Sequence, residues 1–299
     1  MSARPRIAAC LAAVYLIWGS SYLATRIGVA QLPPLLFSAL RFLVAGTLLL
    51  GVALLRGWRP AGLAGEWRHV LVLGVFGLAC VTGLQVWAMQ WVPSGTAALL
   101  NTSCAFWIVA FGRYGRRAHR PSARALAGVA LGFLGTALLL WPAVASADLT
   151  RTALGPQLVI LAGCIVWAVT TIYLRSSRSR LGILPVTGAP MLVGGAVLGV
   201  AGLAAGEGAR WSWSPTGLYA MGWLTLFSAC IAYSCYAYLA RHAAPALVGT
   251  YAYVNPVVAV LLGYLVLREE LQAPQVLGMG TVLLGVLLIN WPARGSKAV

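Results

Sequence analysis

The stretch at residues 245–290, PALVGTYAYVNPVVAVLLGYLVLREELQAPQVLGMGTVLLGVLLIN, reads as an apolar helix with a proline inside it, a short charged turn and a second apolar helix. The first helix carries Thr250, Tyr251, Tyr253 and Asn255 where a simple membrane anchor would carry only Leu and Val. Membrane-spanning length combined with a polar stripe and a proline is the pattern of a helix that lines a path or cavity.

The rest of the chain fits a membrane setting. Of its 299 residues 61% are hydrophobic and 9% charged, against about 25% charged in soluble domains. The formal net charge of +16 comes from twenty Arg and one Lys set against five acids. The arginines fall between apolar segments and form no single basic face, so they read as topology signals and nucleic acid is not an expected partner. Cys10, Cys80, Cys104, Cys164, Cys230 and Cys235 all lie inside apolar segments without zinc-ligand spacing. They read as small buried hydrophobes, and no metal or cofactor is expected. Arg4 and Arg6 before an apolar run resemble a signal peptide, but the run continues to Val29 and reads as a retained first span.

A span needs about 20 largely apolar residues. That ruler predicts ten, at roughly 7–29, 34–55, 69–91, 94–112, 124–141, 155–175, 183–205, 216–240, 245–266 and 274–291, many of them entered through a proline. With the N-terminus in the cytoplasm, sixteen basic residues fall inside and three (Arg151, Arg210, Arg268) outside, leaving Arg26 and Arg41 within spans. This bias places both termini inside. All five acids fall in predicted loops, so no carboxylate relay for proton coupling is expected in the membrane interior.

The chain also repeats. Trp18 and Arg26 recur at the same spacing as Trp167 and Arg175, and Gly128 and Gly135 recur as Gly278 and Gly285, at offsets of 149 and 150 residues. The expected fold is an all-α membrane protein with two five-helix repeats, residues 1–149 and 150–299. An odd number of spans per repeat makes the second inverted, an architecture of secondary transporters that bind substrate between the halves.

Residues 17–46 (IWGSSYLATRIG…LPPLLFSALRFLVAG) and 250–288 resemble the opening and closing blocks of EamA-type carriers of the drug/metabolite transporter superfamily. The resemblance implies ten helices in two inverted repeats, a central cavity, a bacterial inner-membrane location and export of amino acids or related metabolites. One departure is Ala105, where the fourth helix of such carriers often has proline, while its counterpart Pro256 is present. The halves are therefore expected to differ in kinking.

Helical spacing puts Trp18, Ser21 and Thr25 on one face of the first span, and Trp167, Thr170, Thr171 and Leu174 repeat the arrangement in the sixth. Gln85 and Asn101 are amides in predicted spans, able to read both the ammonium and the carboxylate of an amino acid or simply to bond between helices. The eighth span offers Tyr236 among other hydroxyls, and the ninth offers Tyr253 and Asn255 before Pro256. Pro256 frees a carbonyl near Ala252 and is a candidate hinge; Asn255 either satisfies that carbonyl or joins it in meeting ligand. Arg41 either neutralises a substrate charge or bonds helix-end carbonyls, and the structural role weighs more because it can snorkel outward. Arg26 reads as structural. The small-residue faces GVALGFLG and GMGTVLLG suit close helix packing, including between protomers of a homodimer; a monomer is equally consistent.

The resulting expectation is a secondary transporter of small polar metabolites, amino acids foremost and aromatic ones among them, working by alternating access as an exporter or facilitator. The alternative is a membrane-embedded lipid-modifying enzyme, which would need a cluster of acids, bases or metal ligands that the sequence does not offer. A sensory or structural role would call for a soluble domain, and the loops are short.

Overall fold

A computed structural model describes residues 3–111, 123–145, 154–176, 179–243, 251–269 and 272–290. Helix α1 is Ala3–Gln31, α2 Pro34–Leu55 and α3 Trp67–Ala88. The fourth is split into Ser94–Asn101 (α4a) and Cys104–Phe111 (α4b). Then come α5 (Ala123–Ala145), α6 (Leu154–Ser176), α7 (Ile183–Ala204), α8 (residues 215–242), α9 (residues 251–267) and α10 (Ala273–Asn290). Six of them, α1, α2, α3, α6, α7 and α8, contain segments long and apolar enough to cross a membrane. The apolar cores of α5, α9 and α10 are shorter among the described residues. No strand occurs among the described residues.

Several helix starts follow directly from proline. Pro34 and Pro215 sit in the first turn of α2 and α8, and Pro93 precedes α4a. Proline costs little there, because its missing N–H would have no intrahelical partner.

The α4 interruption arises without a proline. At Thr102 and Ser103 the backbone turns to tighter bonds, to Leu99 O at 3.1 Å and Leu100 O at 3.0 Å, and the Thr102 hydroxyl takes Leu99 O at 2.6 Å. A hydroxyl competing for a helix carbonyl is enough to loosen the ladder. By contrast α9 runs as a helix through Pro256 and changes to a π-helical turn only at Gly263–Leu267. The half lacking the proline therefore breaks its helix by other means. Two further π-helical segments, Leu73–Cys80 in α3 and Leu224–Ala232 in α8, occupy corresponding places in the two halves.

The most extensive helix pairings are α5 with α10 and α2 with α7. Several others come in matched sets: α1 with α9 and α6 with α4, α1 with α8 and α6 with α3, α2 with α8 and α7 with α3. Each set maps onto itself when every helix is moved five places along the chain. In lipid, such seams depend on van der Waals contact between close backbones, which small residues permit. A Cβ on Gly46 would lie 2.8 Å from Gly188 O, and one on Gly195 3.0 Å from Ala39 O, so α2 and α7 meet backbone to backbone. Gly135 approaches Gly278 O and Gly285 approaches Gly128 O at 2.8 and 2.6 Å in the same sense. The two small-residue faces of α5 and α10 are thus buried against each other within one chain.

Gly46→Ala should lower stability by about 1–3 kcal/mol through overpacking at this seam. Gly51→Ala, where a Cβ meets nothing within 4 Å, should leave it unchanged or raise it slightly. Thermal melting of the two variants in detergent checks the pair.

Candidate functional site

Trp18 lies halfway along α1 and is the hub of an aromatic cluster. Tyr233 and Tyr236 of α8 both approach it with ring centroids 5.1 Å away, and Tyr251 at the start of α9 approaches at 5.5 Å. Tyr236 and Tyr251 meet edge to face at 5.8 Å. Trp167 of α6 lies near the Tyr251 hydroxyl, with its indole N–H able to donate to it. The edge-to-face geometries set partly positive ring edges against negative ring faces. Trp18, Trp167 and Tyr236, chosen from the sequence, therefore come together, joined by Tyr233 and Tyr251.

The signal for those two was present. Tyr233 stands three residues before Tyr236, and Tyr251 four before Asn255, so each shares a helix face with a residue already singled out. The Tyr253 and Leu174 side chains, and Thr250 altogether, lie outside the described ones.

The remaining hydroxyls and amides are mostly occupied. Ser21 bonds Ile17 O at 2.6 Å, Thr170 bonds Val166 O at 2.7 Å and Thr171 bonds Trp167 O at 2.8 Å, each to its own helix. The Thr170 methyl also faces Gly77, 3.1 Å from where a Cβ there would be, which puts it in the α3–α6 seam. Gln85 turns its amide to Met89 Sδ at 3.8 Å, and no described contact links it to the aromatic cluster. Asn101 bonds Ala97 O at 2.9 Å and accepts from the Cys164 thiol of α6 at 3.7 Å, so it is an interhelical tie beside the break in α4. An open groove of about 360 Å³ between α2, α3 and α7 is lined by apolar side chains such as Leu84 and Leu198 and holds none of the residues chosen from the sequence.

The two arginines within spans behave differently. Arg26 donates to Met89 O and Gln90 O at 2.6 and 2.5 Å, closing the end of α3. These carbonyls carry the negative end of the helix dipole, so a cation belongs there. Arg41 is 8% exposed, and its buried Nε has no hydrogen-bond partner among the described residues. Its guanidinium lies over its neighbour Phe42 at 4.7 Å, and the Tyr233 hydroxyl is within electrostatic reach. Asn255 is likewise buried, with its acceptor Oδ1 unpartnered among the described residues, and no described hydrogen bond runs from its Nδ2 to the carbonyl freed by Pro256. Its backbone oxygen packs 3.3 Å from the place of a Cβ on Gly19, next to Trp18.

The three described acids all bind helix approaches across the two halves. Glu207, 3% exposed, accepts from the N–H groups of Leu35 at 3.3 Å and Leu36 at 2.8 Å, at the start of α2. Glu269 accepts from the Ser94 N–H and hydroxyl at 2.8 Å and the Gly95 N–H at 3.1 Å, at the start of α4a. Glu66 takes the Arg180 N–H at 2.8 Å just ahead of α7. Free N–H groups and a positive dipole end make such termini natural carboxylate sites. Glu207, Glu269, the Arg26 bonds and the bonds from Ser212 and Ser214 to Gln31 gather at one end of the bundle. Asp148 and Glu270 lie outside the described residues.

A model of the EamA-like transporter family matches this chain twice, at residues 6–141 and 155–291. The chain belongs to the EamA-like transporter family. It is 38% identical over 283 residues to the uncharacterised inner membrane transporter YedA of Escherichia coli strain K12, covering 94% of this chain and 89% of that one. An uncharacterised transporter of Archaeoglobus fulgidus is 27% identical over 87% of this chain and 89% of its own. A Salmonella typhimurium protein named a probable amino-acid metabolite efflux pump is 29% identical over 54% of this chain and 50% of its own. A solved crystal structure, 20% identical, superposes with a TM-score of 0.70 over 95% of this chain and 96% of the other, which shows a shared fold. This member of the family is thus a membrane transporter with an aromatic cluster between α1, α8 and α9.

Glu207→Ala would strand the Leu35 and Leu36 N–H groups. It should cost about 1–3 kcal/mol for buried donors left unpaired, while Glu207→Gln keeps an acceptor and should lose less. Melting temperatures of the purified variants read the difference.

Proposed function

We propose that this transporter is a ten-span carrier of two inverted five-helix repeats, residues 1–149 and 150–299, with both termini in the cytoplasm of a bacterial cell. It moves small polar metabolites, amino acids foremost, across the inner membrane by alternating access, as an exporter or facilitator. The observation that carries this reading is the aromatic cluster around Trp18. It draws on α1 from one half and on α6, α8 and α9 from the other, so relative movement of the halves would open or close it. The matched helix pairings support the repeat. The arginine distribution supports the orientation, which puts the end held by Glu207 and Glu269 outside. Substrate would enter between α1, α6, α8 and α9, with Asn101 and Cys164 at its edge, and Pro256 would serve as a hinge in α9. The amino-acid assignment draws support from the Salmonella relative's name and from the unpartnered amide oxygen of Asn255.

Purified protein in liposomes should give saturable flux of some labelled amino acids out of a broad metabolite panel. With Glu66, Glu207 and Glu269 all engaged at helix ends, that flux should be equilibrative and unchanged when a pH gradient is collapsed. Absence of flux across the panel, together with a measurable lipid conversion, would favour a lipid-modifying enzyme instead. Gradient-driven accumulation would overturn the equilibrative mechanism.

A further inference from the structure

We infer that Arg41 is the carboxylate anchor of the substrate site, so that the carrier selects organic acids with an apolar or aromatic body and discriminates against their amides and amines. The inference rests on the reading that the aromatic cluster is the substrate path.

The first support is the contrast between the two intramembrane arginines. A cation on the apolar part of a span is costly, and such groups pair with carbonyls, carboxylates or water. Arg26 follows the rule through two helix-end carbonyls. Arg41 differs: it is buried to 8% exposure, its Nε has no partner, and no hydrogen bond or ion pair joins it to a carbonyl or carboxylate among the described residues. The three described carboxylates are each committed at a helix approach of the opposite half, so none is available to it.

The second support is where Arg41 sits. Tyr233, the polar group within its electrostatic reach, is also one of the rings packed on Trp18. One turn before Arg41 on the same face of α2, the Ser38 hydroxyl is fully buried and has no partner among the described residues. A carboxylate beside Arg41 would gain the charge-assisted bonds that a guanidinium fork is shaped to give. The body of the same molecule would extend over Tyr233 toward Trp18. Asn255, whose backbone oxygen packs against α1 at Gly19, has Oδ1 as a buried acceptor with no described partner, suited to an amino group. The carboxylate is the required element and the amine the optional one, because an unpaired charge is far costlier to leave buried than an unpaired amide.

Binding is tested apart from transport, by intrinsic tryptophan fluorescence of the full-length protein in detergent. The titrants are L-phenylalanine, 3-phenylpropionate, L-phenylalaninamide and 2-phenylethylamine. The two carboxylates should bind saturably, at least about tenfold more tightly than the amide and the amine, as loss of a charge-assisted pair implies. Arg41→Lys should keep part of that preference and Arg41→Gln should abolish it. The wild-type comparison needs no variant, so a folding defect in Arg41→Gln would not decide the outcome. Equal binding of all four probes, no binding of either carboxylate, or an unchanged preference in folded Arg41→Gln would overturn the inference. Carboxylate binding without flux in liposomes would instead refute the transport mechanism and leave the anchor standing.

Discussion

A helix that begins in a membrane presents N–H groups that neither its own turns nor water can satisfy. The bundle answers this at α2 and α4a by reaching across with a carboxylate from the other half. Glu207 serves Leu35 and Leu36, Glu269 serves Ser94 and Gly95, and Glu66 does similar work ahead of α7. A chain with only five acids thus places three of them where they tie one half to the other. Two consequences follow. The halves are held by polar contacts at the ends of the bundle, and its interior is left without an acid among the described residues. Inside, the helices meet through glycine at α2–α7 and α5–α10, and the aromatic rings of the two halves meet at Trp18.

This arrangement makes the unpaired groups conspicuous. Most hydroxyls in the spans bond back to their own helix, a routine solution in apolar surroundings. Arg41 Nε, Ser38 Oγ and Asn255 Oδ1 find no described partner; Arg41 is within electrostatic reach of Tyr233, and the Asn255 backbone packs against α1 at Gly19. Buried polar groups beside aromatic rings are the chemistry that a site for a small polar solute requires.

Much of the fold was legible in the sequence because membrane spans are long, apolar and bounded by proline and arginine. The expected 34–55 and 183–205 are α2 and α7 almost to the residue. The repeat was visible in Trp18 and Trp167 and in the glycines of α5 and α10. The hidden features depend on three-dimensional neighbours. Nothing local announces that Leu73–Cys80 and Leu224–Ala232 are π-helical, or that α4 breaks at Thr102 with no proline present. The site divides in the same way. Aromatic residues spaced at three and four were readable, and the structure brings Trp18 and Tyr236 into contact. Gln85 and Thr170 were attractive as polar residues in spans, but only the structure shows one turned to Met89 and the other set in the α3–α6 seam. Arg26 already read as structural from the sequence, and its two helix-end carbonyls agree; that Arg41 bonds no such carbonyl is visible only in the structure.

On the proposed cycle, the Glu269 contact with α4a is a latch that must release whenever the outer end opens. The direct measurement uses cysteines at positions 94 and 269, in a chain whose six native cysteines are replaced, bridged by a short reducible cross-linker. Alternating access predicts that amino-acid flux in liposomes falls to background when the bridge is in place and returns when it is reduced. Undiminished flux through fully bridged protein would contradict the account.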